Sequence, residues 1–300
     1  LLFNVDMEVT LEANPGTFEA EKFRAFRAAG INRLSIGIQS FNDRHLTALG
    51  RIHNAGEAER AIEIAQANFD NFNLDVMYAL PTQTLAEAEA DVQRAVASGA
   101  PHLSFYHLTL EPNTIFYKYP PPLPDDDAAA AIQELVETQL GVADYAHYET
   151  SAYAKAGHQC WHNLNYWRFG DYLGIGAGAH SKLSFADRIV REQRTRGPAD
   201  YMRHTNAGTQ VSERRELGTE ELPFEFMLNA LRLTKGFEVP LFAERTGLSM
   251  TAVEKNLVAA EAKGLITRDH LRIAPTERGA RFLNDLQILF LPEGRDARPA

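Results

Sequence analysis

The densest chemistry in the sequence lies in Gly157-His158-Gln159-Cys160-Trp161-His162-Asn163-Leu164-Asn165-Tyr166-Trp167, which holds two histidines, a tyrosine, the only cysteine and both tryptophans. An imidazole can ligate haem iron, while Trp and Tyr faces pack against a flat macrocycle and their N–H and O–H groups reach its polar edges. The competing reading is a packed corner whose histidines only hydrogen-bond. Cys160 has no second cysteine with which to build a zinc site, and it lies outside any nucleophile motif. Downstream, Gly174, Gly176 and Gly178 alternate ahead of His180. In a strand they would clear one face for a planar ligand or another backbone. Their spacing, with no good helix following, does not meet the dinucleotide-binding fingerprint. A second set of polar residues recurs where successive strands end: Glu12, Gln39 with Ser40, Asp75, then His107 and Thr109. That recurrence points to one shared pocket.

These residues need elements to position them, and hydrophobic rhythm supplies the expectation. Val5, Met7, Val9 and Leu11 alternate as a first strand, and Thr17 caps a helix with a Phe18, Phe23, Phe26 stripe that closes at Gly30. Strands follow at 34–38, 74–80 and 103–110, with helices at 55–67 and 85–98 between them. Four prolines within Tyr119–Pro124 make an extended connection, and Asp125, Asp126 and Asp127 open a helix to Val142. Residues 145–153 return as a strand. This alternation means parallel βα units, at least five strands by residue 153, in a closed or open barrel or a doubly wound sheet. From about Thr219 the texture becomes helices at 221–234, 239–246 and 250–263, a β-wing at 265–273 and a last helix: a winged-helix pattern. Residues 219–300 hold eleven Lys/Arg against twelve Asp/Glu, so the module reads as an accessory lid or docking unit instead of a DNA reader.

Composition bounds the rest. At 300 residues, 45% hydrophobic and 23% charged, the chain is an ordinary globular one. A net charge of −10 repels nucleic-acid phosphate. No apolar run reaches membrane-span length and Leu1–Glu8 is no signal sequence, so a cytoplasmic protein is expected. One cysteine excludes an internal disulfide framework and cannot build the nest of an iron–sulfur cluster. The chain starts without Met inside a strand-like alternation, and is expected to begin within a domain of a longer protein.

Three segments carry a resemblance: Glu8-Val9-Thr10-Leu11-Glu12-Ala13-Asn14-Pro15-Gly16, Arg33-Leu34-Ser35-Ile36-Gly37-Ile38-Gln39-Ser40-Phe41, and Leu74-Asp75-Val76-Met77-Tyr78-Ala79-Leu80-Pro81. With Leu103–Phe116, the His158–His180 region and Phe224–Arg232, the chain resembles the radical S-adenosylmethionine (SAM) proteins of the oxygen-independent coproporphyrinogen oxidase-like family, in order and over nearly its whole length. The resemblance implies an α/β fold: a partial (β/α) TIM-like radical SAM barrel over residues 1–215 that lacks its first strand and cluster loop, then a winged-helix-like accessory domain over 216–300. It implies a SAM site at Glu12, Gln39, Arg51 and Asp75, with His180 toward the adenine. The carboxylates would take ribose hydroxyls or the methionine ammonium, Gln39 a polar edge, and Arg51 the methionine carboxylate.

His162-Asn163-Leu164-Asn165-Tyr166-Trp167 matches the HNxxYW motif of the family's haem-chaperone branch. That implies haem bound by His162, Asn163, Tyr166 and Trp167, with His162 on the iron, and transfer of haem to an acceptor protein, a membrane-associated one included. Such a role is binding and transfer more than catalysis, and no catalytic residue is assigned. The alternative within the family is oxidative decarboxylation of coproporphyrinogen III to protoporphyrinogen IX. The family's CxxxCxxC loop is missing from this sequence, so a [4Fe–4S] cluster is expected in the full-length protein only.

Overall fold

Strict alternation of apolar and polar residues, in phase across neighbouring strands, builds a sheet with two unlike faces. The computed structural model describes residues 4–17 and 19–292, gathered into two units, Leu1–Trp161 and His162–Ala300. In the first unit the elements run β1 (Thr10–Ala13), α1 (Ala20–Ala28), β2 (Arg33–Gln39), α2 (Asp43–Ala48), α3 (Ala55–Asn68), β3 (Phe72–Tyr78), α4 (Leu85–Ala97), β4 (His102–His107), α5 (Ile115–Lys118), α6 (Asp126–Val142), β5 (Ala146–Glu149) and β6 (Ala152–Ala154). The sheet order is β1-β2-β3-β4-β6-β5, parallel through β4 and antiparallel beyond it.

Leu34, Ile36, Leu74, Val76, Leu103 and Phe105 fill one core with the inner sides of α1, α3, α4 and α6. Helices on a single face fit an open, partial barrel; a doubly wound sheet would need them on both. Two capping boxes start the long helices, Asn54 with Glu57 on α3 and Thr84 with Glu87 on α4, each satisfying free amides at both positions.

Three expectations are corrected here. The first strand spans only Thr10–Ala13, because Asn32 bonds the preceding backbone with its side chain, accepting from Val9 N at 2.7 Å and donating to Met7 O at 2.8 Å. Thr17 does not cap α1: its hydroxyl donates to Asn14 O at 2.8 Å and closes a 3-10 turn, and the helix starts after Glu19. Phe18 lies outside the described residues; Phe23 and Phe26 do pack edge to face, with ring centroids 5.6 Å apart. Residues 145–153 form the hairpin β5–β6 instead of one strand, turning at Thr150 and Ser151, and β6 runs antiparallel to β4.

The second unit takes up most of α7 (Trp161–Trp167) and continues with β7 (His180–Ser184), β8 (Ile189–Arg194), α8 (Pro198–Asn206) and β9 (Val211–Glu216). These three strands form an antiparallel sheet that the sequence did not announce, since Val211–Glu216 is almost wholly charged or polar. Then come α9 (Leu222–Ala230), β10 (Phe237–Glu238), α10 (Val239–Thr246), α11 (Glu254–Ala262), β11 (Ile266–Arg268), β12 (Arg272–Pro275), α12 (Glu277–Arg281) and α13 (Leu283–Ile288). Helices followed by a β10-β12-β11 sheet match the expected helix-and-wing order. Phe226 is the centre of this unit's core, its ring edge-to-face with Phe169, Phe237 and Phe242 at 5.8, 5.0 and 5.2 Å.

Candidate functional site

The polar face of the first unit's sheet follows from the same alternation that made its core. Glu12 lies opposite Ser35, Ser35 opposite Asn73, Asn73 opposite His102, and Asp75 opposite Ser104. Asp75 accepts from Ser35 Oγ at 3.0 Å and from Asn73 Nδ2 at 2.8 Å. Asn73 Oδ1 in turn accepts from Ser104 Oγ at 3.0 Å and lies 2.6 Å from His102 Nδ1, whose Nε2 is 2.7 Å from the Tyr148 hydroxyl. Burial pushes the Asp75 carboxyl above its ordinary range, against the pull of the Asn73 and Ser35 bonds, and the Glu12 charge pushes the same way as burial. Burial likewise holds His102 neutral, well below the usual imidazole range.

Ser35, Asn73, His102 and Ser104 escaped the sequence reading, although they alternate in phase with Asp75 and against the apolar set. His107 and Thr109 do not join them. His107, an odd number of residues from His102 and Ser104, falls on the other side of β4, edge-on to the Tyr78 ring at 5.3 Å, and Thr109 lies exposed beyond β4. Gln39 ends β2 with φ 68°, at a break in the β2–β3 register, and is nearly buried. Its side chain folds back over Gly37, where a Cβ would stand 2.8 Å from Gln39 Nε2 and would push that amide aside. His53 Nε2 sits 3.1 Å from Ile38 O and pins the loop holding Arg51 beside the end of β2. Arg51 is exposed, with no hydrogen bond or ion pair for its guanidinium among the described residues. Glu12, Gln39, Arg51 and Asp75 thus belong to the first unit, and His180 to the second, at the exposed start of β7 opposite Gln193.

The spacing of His162, Asn163, Tyr166 and Trp167 acquires its meaning on α7. In a helix, residues four apart share a face, so His162–Tyr166 and Asn163–Trp167 form two adjacent pairs, while Leu164 is buried on another side. The His162 and Tyr166 rings meet edge to face at 4.7 Å, and Tyr166 meets Tyr172 at 4.5 Å. Trp167 lies under Arg232, whose guanidinium carbon is 4.2 Å from the ring. Its indole Nε1 is buried without a hydrogen-bond partner among the described residues, an indole donor left for a ligand's polar edge. An exposed imidazole, two aromatic edges and an unspent donor on one short helix suit a porphyrin.

The glycine run is not a strand. Leu173–Ala179 is irregular, with Gly176 at φ 112° and Gly178 at φ 73°, and β7 begins only at His180. The close backbone approach expected of these glycines is present at one of them: a Cβ on Gly174 would collide with the His180 carbonyl. Gly174→Ala is therefore expected to destabilise the protein by about 1–3 kcal/mol through overpacking, whereas Gly176→Ala meets open space and costs only backbone strain. Thermal melts of the two variants check the order.

A cluster does not fit the residues present. Cys160 is the only thiol, is buried, and lies 3.7 Å from Glu8 Oε1, and no group of three or more metal-binding side chains occurs among the described residues. SAM suits the donor set better: Arg51 is exposed, Glu12 and a strained Gln39 lie near the ends of β1 and β2, and Asp75, expected at a strand end, sits midway along β3.

The radical SAM superfamily profile matches residues 2–95, and that of the HemN C-terminal domain matches residues 217–282. The chain is 49% identical over 293 residues to "Heme chaperone HemW" of Haemophilus influenzae, covering 97% of the chain and 76% of that protein. It is 48% identical over 292 residues to the Escherichia coli protein of the same name, covering 96% and 76%. Among solved structures, the coproporphyrinogen III oxidase HemN of Escherichia coli, a radical SAM enzyme, superposes with a TM-score of 0.78 at 20% identity, over 96% of this chain and 70% of its own. That likeness is one of fold.

Proposed function

The chain belongs to the HemW haem-chaperone family of the radical SAM superfamily, and from that premise we propose that it binds haem through α7 and hands it to an acceptor protein. The observation that carries this reading is the pairing of His162 with Tyr166 and of Asn163 with Trp167 on one side of a two-turn helix, with the Trp167 donor unspent. His162 is the proposed iron ligand, Tyr166 and Trp167 pack against the macrocycle, and Asn163 takes a polar edge. Haem is cargo here, so retention and release matter more than turnover. Titrating haem into the full chain and into His162→Ala is the test. The variant is expected to bind at least about tenfold more weakly with a displaced Soret band; equal stoichiometry and spectrum would remove His162 from the site.

SAM is the second proposed ligand, a cofactor that supplies radical chemistry when bound beside a reduced [4Fe–4S] cluster. Asp75 and Glu12 would hold ribose hydroxyls or the methionine ammonium, Arg51 the methionine carboxylate, and Gln39 a polar edge, with His180 proposed toward the adenine. Ser35 and Asn73 keep the Asp75 carboxylate oriented. The single cysteine of this sequence cannot hold such a cluster. Coproporphyrinogen decarboxylation gains no support from the shared fold, since both roles use it. The acceptor is proposed to be a protein in or at the cytoplasm; no helix among the described residues is long and apolar enough to cross a membrane.

A further inference from the structure

We propose that Tyr172 is a positioning residue for haem ligation, acting through Tyr166 on His162; the inference rests on the haem reading of α7. The three rings form a contact chain, His162 to Tyr166 at 4.7 Å with planes at 82°, and Tyr166 to Tyr172 at 4.5 Å with planes at 62°. A two-turn helix is too short to hold itself, so its ring orientations must be fixed from outside.

Tyr172 is the fixed end. Its N–H donates to Lys182 O and its carbonyl accepts from Lys182 N, both at 3.0 Å. Its hydroxyl accepts from Arg191 Nη1 at 3.0 Å, and Arg191 is itself held by Glu225 at 2.5 Å.

The same Lys182 fixes the turn that follows α7. Lys182 is 1% exposed, and its Nζ donates to Phe169 O at 3.1 Å, to Asp171 Oδ1 at 2.9 Å and to Ser184 Oγ at 3.1 Å, with the ammonium 4.1 Å from the Phe169 ring centre. Phe169 itself takes φ 54°, a conformation that needs such support. Lys182 therefore sets both the turn after α7 and the tyrosine that abuts its last turn. The central Tyr166 ring is a spacer held by packing between His162 and Tyr172. His162, exposed at the far end, packs edge to face against that spacer.

The test is haem titration of the full chain with Soret spectra and thermal midpoints for wild type, Tyr172→Ala, Tyr172→Leu, Tyr172→Phe and His162→Ala. Tyr172→Ala is expected to weaken haem binding about 10- to 100-fold, the range for residues that orient a metal ligand, and to move the Soret band toward that of His162→Ala. Tyr172→Leu, which keeps part of the apolar bulk without the ring, should behave alike if the alanine variant fails to fold. Tyr172→Phe keeps the ring edge and both backbone bonds to Lys182 and gives up only the Arg191 bond, so it should recover most of the wild-type affinity and the wild-type Soret band. The proposal is overturned if the Ala and Leu variants lower only the thermal midpoint while bound haem keeps its wild-type spectrum and affinity, or if Phe fails to rescue. Failure of the underlying haem reading looks different: wild type and His162→Ala would then titrate alike.

Discussion

Alanine at Phe226 is expected to remove about 3–5 kcal/mol from the stability of the second unit, a large share of the roughly 5–15 kcal/mol that holds a domain together. Phe226 is 0% exposed and is ringed by Phe169, Phe237 and Phe242, all edge-to-face. Truncation forfeits the transfer energy of the ring, leaves a cavity between α9, α10 and the wing, and cancels three aromatic contacts worth about 0.5–1.5 kcal/mol each beyond their area. The functional consequence comes through Phe169, which follows directly on α7 and anchors it by donating its amide to Tyr166 O at 2.9 Å. Haem affinity should therefore fall together with the denaturant midpoint, and Phe226→Leu should recover most of both. An alanine variant whose unfolding midpoint stays at the wild-type value would show that the aromatic cluster is not the keystone of this core.

Replacing Asp75 by asparagine is expected to separate stability from binding. Burial raises the Asp75 carboxyl in the folded protein above its unfolded value, so the fold binds more protons than the unfolded chain between those two values. Stability contributed by this group is thus full below the unfolded carboxylate range and is lost as pH rises through the folded one. Asparagine has no proton to lose: it can still accept from Asn73 Nδ2 and can donate to Ser35 Oγ, and it removes a buried charge lying near Glu12. The variant should melt higher than wild type at neutral pH, and its melting curve should lose the corresponding slope on the acid side. Binding should go the other way. Hydrogen bonds to a charged group are worth about 1.5–3 kcal/mol, so affinity for S-adenosylhomocysteine, measured by calorimetry, should drop about 10- to 100-fold. A variant that melts higher and binds equally well would make Asp75 a merely buried carboxylate and remove it from the SAM site.

Much of the site was legible along the chain because it is local. His162, Asn163, Tyr166 and Trp167 sit within two helical turns, and a spacing of four suffices to pair them. Asp75 and Gln39 were legible as polar residues in or ending apolar strands. The residues that serve Asp75 were not: Ser35, Asn73, His102 and Ser104 are unremarkable serines, asparagines and histidines until strand register lines them up across three strands. The β7–β8–β9 sheet was missed for a related reason. Its strands are written in Arg, Glu, Gln and Ser, and only cross-strand hydrogen bonds, not an apolar stripe, declare them.

The sequence by itself determined the alternating βα rhythm, the helix-and-wing ending, the start of α6 at Asp125 and the spacing of His162, Asn163, Tyr166 and Trp167, because each depends on neighbours a few residues away. Only the tertiary structure decided that the helices cover one face of the sheet, that residues 145–153 fold into an antiparallel hairpin, that the glycine run bends instead of extending, and that Tyr172 stands against Tyr166. Those outcomes depend on partners brought together from distant positions, and packing and hydrogen-bond satisfaction choose among arrangements that local preference leaves equal.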